Sequence, residues 1–448
     1  RSHTFTSAGS LTLNDIAATL SGDISGSGSL SIDSTDGIIT FSGNNSYTGT
    51  TTISDGIVKA NHANALGNLS AVTLGTNAGT RLDLLQNLTV GSIAGGSGTD
   101  SQINLGSYKL VSGGDNSSTT FSGTIYGTGG QIEKTGSGTL TLAGTNTYTG
   151  DTTVSAGTIK TTGTLSDSTD VIVSSGATYD VDQTDTIQSL SGAGTINIAS
   201  TKTLTTGDSG DDTISGIIEG AGSLTKQGSG TLTLSGTNTY SGNTTISAGG
   251  LTVSGQLGSG SYAGTIANSG TLTISSNSNQ ELSGVISGSG QIIKSGSGTL
   301  TLSGANTFTT GTALTTQTDG TWGNIPNSNR SKNYSTSFAS GIDSLPVIYN
   351  ILNDVGLYRD DFTTRLVSTS NSSFTYRIYR TDAGASLSST WGAVDGVTYF
   401  NVFPVAITVN DGTLALTNNN AIADNNAIRV AGSVGSNATL DVKGVTIS

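Results

Sequence analysis

One block of sequence recurs along this chain, and the recurrence limits the fold more than any other feature. Three copies align without gaps, and a fourth begins in the same way before it is interrupted. The copies are FSGNNSYTGTTTISDG (41–56), LAGTNTYTGDTTVSAG (142–157), LSGTNTYSGNTTISAG (234–249) and LSGANTFTTGT (302–312). Self-similar segments of this kind are typical of solenoids, in which each unit packs against its neighbours.

Apolar residues within and around each block alternate with Ser and Thr, in short runs such as TLTL. The runs are separated by Gly, Asn and Asp, which favour turns. Alternation with a period of two predicts short, half-buried strands. With 65 Gly in 448 residues and only 10% charged residues, the composition alone would suggest disorder. The regular alternation argues against that interpretation.

Many short strands with so few apolar residues are best accommodated by a parallel β-helix. Each strand then pairs with the equivalent strand one coil further on, ~4.8 Å away. Because backbone groups are satisfied between coils, a thin core of Leu, Ile and Val is sufficient. The sequence therefore predicts an all-β fold, a parallel β-helix. We expect it to be right-handed, since parallel crossovers are right-handed in nearly all cases.

Every block carries an Asn two residues before an aromatic residue. We expect these pairs to be structural, with the Asn forming a turn or stacking with its equivalents in an amide ladder. The pairs are Asn45 with Tyr47, Asn146 with Tyr148, Asn238 with Tyr240, and Asn306 with Phe308.

Residues 313–406 interrupt the fourth copy, and the repeat pattern resumes with TVNDGTLALT at Thr408. This segment holds both tryptophans and all three prolines of the chain. We therefore divide the chain into a β-helical stalk (1–312), an inserted globular domain (313–406) and a resumed β-helix (407–448). The stretch SLPVIYNILNDV has helical spacing of apolar residues, whereas its neighbours alternate. The insert is accordingly predicted to be a small α+β or β-rich domain.

The insert also supplies the candidates for a binding surface, because aromatic and Arg side chains are enriched where proteins bind partners. These side chains would stack on sugars or fill pockets of a protein partner, or they would form the core of the insert itself. The candidates are Trp322, Arg330, Tyr358, Arg377, Tyr379, Arg380, Trp391 and Tyr399.

The charge and the titratable residues limit the other functions. A formal net charge of −13 argues against nucleic acid as a partner, which requires clustered Lys and Arg. The stretch TGDSGDDTISG is similar to a calcium-binding β-roll repeat, so Asp208, Asp211 and Asp212 are candidate calcium ligands. No other cofactor is expected.

Few residues could support catalysis, since the chain has no Cys and a His-based triad would have to use His3 or His62, its two histidines. A polysaccharide-active β-helix enzyme remains an alternative. Its paired carboxylates would come from the aspartates at 208–212 or from Asp360 and Asp361. We expect a protein that is not an enzyme.

The blocks resemble the autotransporter-associated β-strand repeat, or passenger-associated transport repeat, of bacterial autotransporter passenger domains. The resemblance rests on GSGTLTLSGTNTYSGNTTISAG and on the segments 54–86, 88–142 and 410–444. It implies a right-handed β-helix exported to the bacterial surface or the medium, often adhesive and not known for catalysis. We further expect the chain to be a fragment of a longer precursor, a processed passenger, or a relative that uses the repeat without the family's C-terminal domain.

Two roles follow from these expectations. In the first, a β-helical stalk presents the inserted domain to a protein or glycan on a host cell or a neighbouring cell. In the alternative, copies of the chain assemble into an extracellular fibre or surface layer. No stretch approaches the ~20 apolar residues of a membrane helix, so we expect no transmembrane segment in this chain.

Overall fold

The structure is a computed structural model. It describes residues 3–5, 9–14, 17–308, 331–337, 347–351, 362–370, 373–380, 397–401, 405–409, 411–416, 427–430 and 439–441. Apart from a short 3-10 turn at Gly258–Gly260, the regular elements of these residues are all β-strands. The strands outside 331–401 form a parallel solenoid of about 14 turns. The prediction of an all-β parallel solenoid is therefore confirmed.

The strands of the first sheet pair in parallel from coil to coil. In the N-terminal coils the sheet continues over two faces, because its long strands each pair with two shorter strands of a neighbouring coil. Its 13 strands are Ser10–Asn14, Ala18–Leu20, Ser29–Phe41, Thr51–Ala60, Ala71–Leu74, Thr80–Leu84, Ser92–Asn104, Thr119–Tyr126, Thr139–Leu142, Thr158–Thr161, Thr178–Val181, Thr195–Ile198 and Ile217–Gly220.

The second sheet extends further toward the C-terminus and is also parallel. Its 13 strands are Leu88–Thr89, Lys109–Ser112, Gln131–Lys134, Thr152–Val154, Asp170–Val173, Ser189–Gly192, Asp212–Ile214, Thr231–Leu234, Gly250–Val253, Thr271–Ile274, Gln291–Lys294, Val405–Val409 and Ala427–Val430.

Two shorter parallel sheets and one strand pair complete the solenoid. The third sheet contains Asp185–Thr186, Thr203–Thr206, Ser223–Lys226, Thr244–Ile246, Ile266–Asn268 and Ile286–Ser287. The fourth sheet contains Ser261–Tyr262, Gln280–Leu282, Thr299–Leu302, Thr413–Leu416 and Thr439–Asp441. The strand pair joins His3–Phe5 to Ile24–Gly26.

Alternation of side chains produces the core directly. In strands of the type TLTL, the Leu positions are buried and the Thr positions are half-buried. Equivalent inward residues stack from coil to coil, as in the column Leu140, Ile159, Tyr179, Ile196 and Ile218. Each of these five side chains is at most 1% exposed. Because every coil adds one member to each column, a narrow apolar interior extends along the solenoid.

Copies of the repeat block do not all lie on the same face. The strand Thr139–Leu142 of one copy belongs to the first sheet, whereas its equivalent Thr231–Leu234 belongs to the second. The copies are separated by spacers that advance the chain by a different number of strands. Equivalent residues of successive copies therefore do not stack on one another, contrary to the expectation of a ladder.

The strands before and after the region that interrupts the repeat pair directly with each other. Gln291–Lys294 pairs directly with Val405–Val409, and Thr299–Leu302 pairs directly with Thr413–Leu416. These pairs have the same parallel register as pairs within uninterrupted coils. The parallel pairing of the solenoid thus continues from the strands at 291–302 to those at 405–416.

The described strands of the insert are antiparallel. Ser373–Arg380 lies between Ser331–Ser337 and Phe362–Ser370. The strands Val347–Ile351 and Val397–Asn401 form a separate pair. The helical interpretation of the stretch that contains Val347–Ile351 is therefore wrong for these residues. They are rich in β-branched and aromatic side chains, which favour strands.

Candidate functional site: the repeat block and the inserted segment

Each repeat block places one buried Asn between coils. Asn146 is 1% exposed, and its Oδ1 accepts the N–H of Ile125 in the preceding coil at 3.2 Å. Its Nδ2 donates to the carbonyl oxygen of Thr164 in the following coil at 3.0 Å and to that of Gly144 at 3.0 Å. One side chain therefore connects three successive coils through charge-neutral hydrogen bonds.

The other blocks repeat this arrangement, and the asparagines bond to backbone groups of adjacent coils rather than to one another. Such buried amides must be satisfied, because an unpaired one costs about 1–3 kcal/mol. The partners are Ile24 N and Ala65 O for Asn45, Ile218 N (2.9 Å) and Gln256 O (3.1 Å) for Asn238, and Ile286 N (2.7 Å) for Asn306.

In two further coils, a residue other than Asn accepts the hydrogen bond from a backbone N–H of the preceding coil. Asp185 Oδ2 accepts the N–H of Leu165 at 2.8 Å, and Gln280 Oε1 accepts the N–H of Leu257 at 2.8 Å. Burial raises the pKa of Asp185 to about 7, although two backbone N–H groups bond to its carboxylate. Sequence reasoning missed both residues, because neither lies in a block with the Asn and aromatic pair.

The aromatic residue of each block is buried beneath its own turn. Tyr47, Tyr148 and Tyr240 are 0% exposed, and Phe308 is 1% exposed. Each tyrosine hydroxyl bonds to the hydroxyl of a Thr four residues later, at 2.6, 2.6 and 2.7 Å respectively. Burial raises the pKa of all three phenols, that of Tyr240 to about 12. The aromatic positions thus contribute to packing and to buried hydroxyl networks.

Three buried lysines lie beside the blocks, and sequence reasoning did not single them out. Lys134, Lys226 and Lys294 are each 1% exposed, and burial lowers the pKa of each. Their common signal is the spacing K-x-G-S-G-T-L. Their acceptors are Gly136 O (2.9 Å), Thr135 O and Ala156 O (3.5 Å) for Lys134, Gln227 O (2.6 Å) and Gly228 O (3.2 Å) for Lys226, and Ser295 O (2.8 Å), Gly296 O (2.7 Å) and Asp411 O (3.5 Å) for Lys294.

The three calcium candidates lie near one another, and two of them accept hydrogen bonds from backbone N–H groups. Asp208 Oδ1 accepts the N–H of Gly210 at 2.6 Å, and Asp211 Oδ1 accepts the N–H of Thr231 at 2.7 Å. Asp212 pairs with Leu232 in the strand register, and its burial raises its pKa to about 6. Among the residues that the structure describes, no three His, Asp or Glu side chains form a group that could hold a metal ion.

The remaining catalytic candidates are placed as follows. His62 Nδ1 accepts the N–H of Asn64 at 3.1 Å within a turn, which is a structural contact. Asp360 and Asp361 lie outside the described residues.

Only part of the predicted binding surface falls on described residues. Arg377, Tyr379 and Arg380 lie on the strand Ser373–Arg380, and Tyr399 lies on Val397–Asn401. In the strand register, Arg377 is opposite Asn333 and Arg365, and Tyr399 is opposite Tyr349. The other candidates lie outside the described residues, namely Trp322, Arg330, Tyr358 and Trp391.

One protein family matches this chain at the same segments as the repeat blocks. The passenger-associated-transport-repeat family matches residues 36–60, 132–160, 224–253 and 292–316. Each matched segment contains one Asn and aromatic pair, and the last three each contain a buried lysine.

Among curated proteins, the Adhesin BmaC autotransporter of Brucella suis biovar 1 (strain 1330) is 33% identical over 150 residues. The alignment covers 32% of this chain and 4% of the relative, so the chain corresponds to a small part of that protein. No solved structure matches the chain significantly. Within the described residues, no helix has the length and apolar character needed to cross a membrane. The chain therefore carries four passenger-associated transport repeats and is similar over a third of its length to an autotransporter adhesin, which indicates an exported protein of the bacterial cell surface.

Proposed function

We propose that this protein is a non-enzymatic adhesive or structural component of the cell surface, whose solenoid presents residues 313–406 to a binding partner. The observation that carries the proposal is the strand pairing of Gln291–Lys294 with Val405–Val409. Because the solenoid continues in register across the interruption, the inserted residues are not needed to complete a coil. Insertions in solenoids are accommodated at turns, where they face solvent and often bind.

The composition of the insert supports a recognition role. It holds both tryptophans and five arginines of a chain that has only 17 basic residues. Trp, Tyr and Arg carry much of the binding energy in protein interfaces. The relative from Brucella suis is named an adhesin, which agrees with a partner on a host or neighbouring cell, either a protein or a glycan.

Deletion of residues 313–406 tests the proposal. The deletion protein is expected to keep the far-ultraviolet circular dichroism of the solenoid and to lose adhesion to host cells or to bacteria that lack the protein. A second variant, with Arg377 and Arg380 both changed to Ala, checks that loss of adhesion does not depend on removing the whole segment. Adhesion that is unchanged in both variants would contradict the proposal.

Two further measurements separate the alternatives. Light scattering and negative-stain microscopy of the intact chain should show rods of fixed length, whereas concentration-dependent polymers would favour an extracellular fibre or surface layer. Incubation with a panel of polysaccharides, with and without calcium, should give no turnover. Release of reducing ends would instead favour a polysaccharide-active enzyme.

A further inference from the structure

The first sheet carries an unusual cluster of side chains on its outer face, in three successive coils. Leu82, Ile103 and Ile125 are 0% exposed, so their neighbours along the strands belong to the outer face. The register aligns Asp83 with Asn104 and Asn104 with Tyr126 in one column, and Arg81 with Gln102 in the next. We call this set the coil-face patch: Arg81, Asp83, Gln102, Asn104 and Tyr126.

A fixed guanidinium lies in the patch. Arg81 Nε donates to Asp83 Oδ1 at 2.7 Å, and Arg81 Nη2 donates to Asp83 Oδ2 at 3.0 Å. The Arg81 side chain is 32% exposed, whereas that of Asp83 is 8% exposed. Asp83 therefore orients the guanidinium of a partly exposed arginine through two hydrogen bonds. Such a planar fork binds adjacent oxygen atoms in a defined geometry.

A half-buried aromatic ring lies in the same column as Asp83, two coils further along the solenoid. The Tyr126 phenol is close enough to Arg81 and Asp83 for both to affect its pKa, which partial burial raises. The phenol therefore stays protonated at neutral pH and keeps a donor. Asn104 lies between Asp83 and Tyr126 in the column, and its Oδ1 accepts the N–H of Gly106 at 3.0 Å, which fixes the amide.

Two exposed segments border the patch at one end of its strands. They are the loop at residues 76–79 and the irregular part of the strand Ser92–Asn104 at residues 97–100, and Gly79 N donates to the carbonyl oxygen of Asp100 at 3.1 Å. Thr124 Oγ1 donates to the carbonyl oxygen of Gly98 at 3.2 Å, and Gln102 Nε2 donates to that of Thr99 at 3.1 Å. These hydrogen bonds hold the two segments against each other and against the strands of the patch. The segments therefore border the patch on one side.

We propose that the coil-face patch is a glycan-binding site. A sugar ring has an apolar C–H face, which packs on an aromatic side chain, and hydroxyl groups, which bond to guanidinium and amide groups. Successive coils are ~4.8 Å apart, so neighbouring rings of a glycan that runs along the solenoid would meet successive rungs. Asp83 partly compensates the positive charges of Arg81 and of Lys59, which lies opposite Asp83 in the register, so a neutral or uronic-acid glycan is favoured over a phosphate-rich polyanion. This site is separate from residues 313–406 and does not depend on their proposed role.

The test uses the intact chain on an array of neutral and uronic-acid oligosaccharides, followed by calorimetry with the best binder. Tyr126→Ala and Arg81→Gln are each expected to weaken binding about tenfold. Tyr126→Phe should retain most of it, because the ring is kept. The matched control is Tyr108→Ala, since Tyr108 is a 36% exposed tyrosine outside the patch.

Binding to an oligosaccharide that falls in both patch variants, but not in the control, supports the site. Absence of binding to every oligosaccharide on the array would overturn it, as would equal binding by the wild type and Arg81→Gln. The deletion of residues 313–406 keeps the two proposals distinct. If the patch is the site, the deletion protein still binds the oligosaccharide, whether or not adhesion to cells is lost.

Discussion

Lys294 Nζ donates to the carbonyl oxygen of Asp411 at 3.5 Å, although 117 residues separate the two in sequence. Lys134 makes the same bond to Ala156 at 3.5 Å, across only 22 residues of uninterrupted coil. The ammonium group thus reaches the next coil in the same way whether or not an insert intervenes. In these two copies of the repeat block, the buried lysine is therefore part of the connection between coils.

Replacement of a buried lysine should destabilise the solenoid. In Lys134→Met the side chain still fills its space, but the carbonyl oxygens of Thr135 and Gly136 lose their donor. We expect a loss of about 2 kcal/mol in the free energy of unfolding, because buried acceptors are left unpaired. The measurement is urea unfolding followed by circular dichroism.

Lys109→Met is the control for this change. Lys109 forms an ion pair with Glu133 at 3.2 Å, and its side chain is 38% exposed. Exposed ion pairs contribute at most about 1 kcal/mol, so the control should unfold close to the wild type. Equal unfolding midpoints for the two variants would show that the carbonyl bonds of Lys134 contribute nothing measurable.

The sequence predicts the strands well, because alternation in runs such as Thr139–Leu142 directly specifies which side chains face inward. It does not predict Lys134, which has the same inward phase as Ile132 in the strand Gln131–Lys134. A charged residue at an inward position contradicts the pattern unless carbonyl oxygens surround it. Those oxygens come from the turn and from the next coil, so only the stacked structure identifies them.

Only half of the partners of the repeat-block asparagines can be found in the sequence. The N–H donors all belong to a recurring S-G-x-I motif 20 or 21 residues before the Asn, namely Ile24, Ile125, Ile218 and Ile286. The carbonyl acceptors in the following coil differ in residue type, so the stacked structure is needed to identify Ala65, Thr164 and Gln256. The coil-face patch was missed for the same reason, since Arg81 and Tyr126 come onto one face only through the strand register.

Stability should fall as the pH rises toward neutrality. Burial raises the pKa of Asp185 from 3.8 to about 7, so between these values the folded chain holds a proton that the unfolded chain has lost. The contribution is most favourable below about pH 4 and decreases until about pH 7, by about 4 kcal/mol. Asp212, with its pKa raised to about 6, acts in the same direction.

Asp185→Asn isolates the contribution of Asp185. The amide keeps an acceptor for the N–H of Leu165 and carries no charge at any pH. We expect the variant to be more stable than the wild type at pH 8 and to have a flatter profile of unfolding midpoint against pH. Asp100→Asn, at an exposed position, is the control and should leave the profile unchanged. A variant profile as steep as that of the wild type would refute the assignment.

Two glycines with positive φ allow the cost of backbone strain to be measured apart from the cost of steric crowding. Gly157 has φ 64° and Gly176 has φ 80°, so Ala strains the backbone at both positions by about 1 kcal/mol. A Cβ on Gly157 would also press on the carbonyl oxygens of Gly136 and Gly138, whereas one on Gly176 meets no atom within 4 Å. Gly157→Ala should therefore cost about 2 kcal/mol more than Gly176→Ala in chemical unfolding. Similar losses would mean that the coils can separate locally at little cost.

The buried hydroxyl pairs should show measurable coupling. Tyr148 Oη lies 2.6 Å from Thr152 Oγ1, and both residues are fully buried. The fourth copy carries Phe308 at this position, so Tyr148→Phe fits the space and removes only the hydroxyl. A double-mutant cycle of Tyr148→Phe with Thr152→Val is expected to give a coupling energy of about 1 kcal/mol in urea unfolding. Tyr148→Phe with Thr153→Val is the control, since Thr153 is half-buried on the outer face. Additive losses in the first cycle would mean that the Tyr148 ring contributes through packing alone.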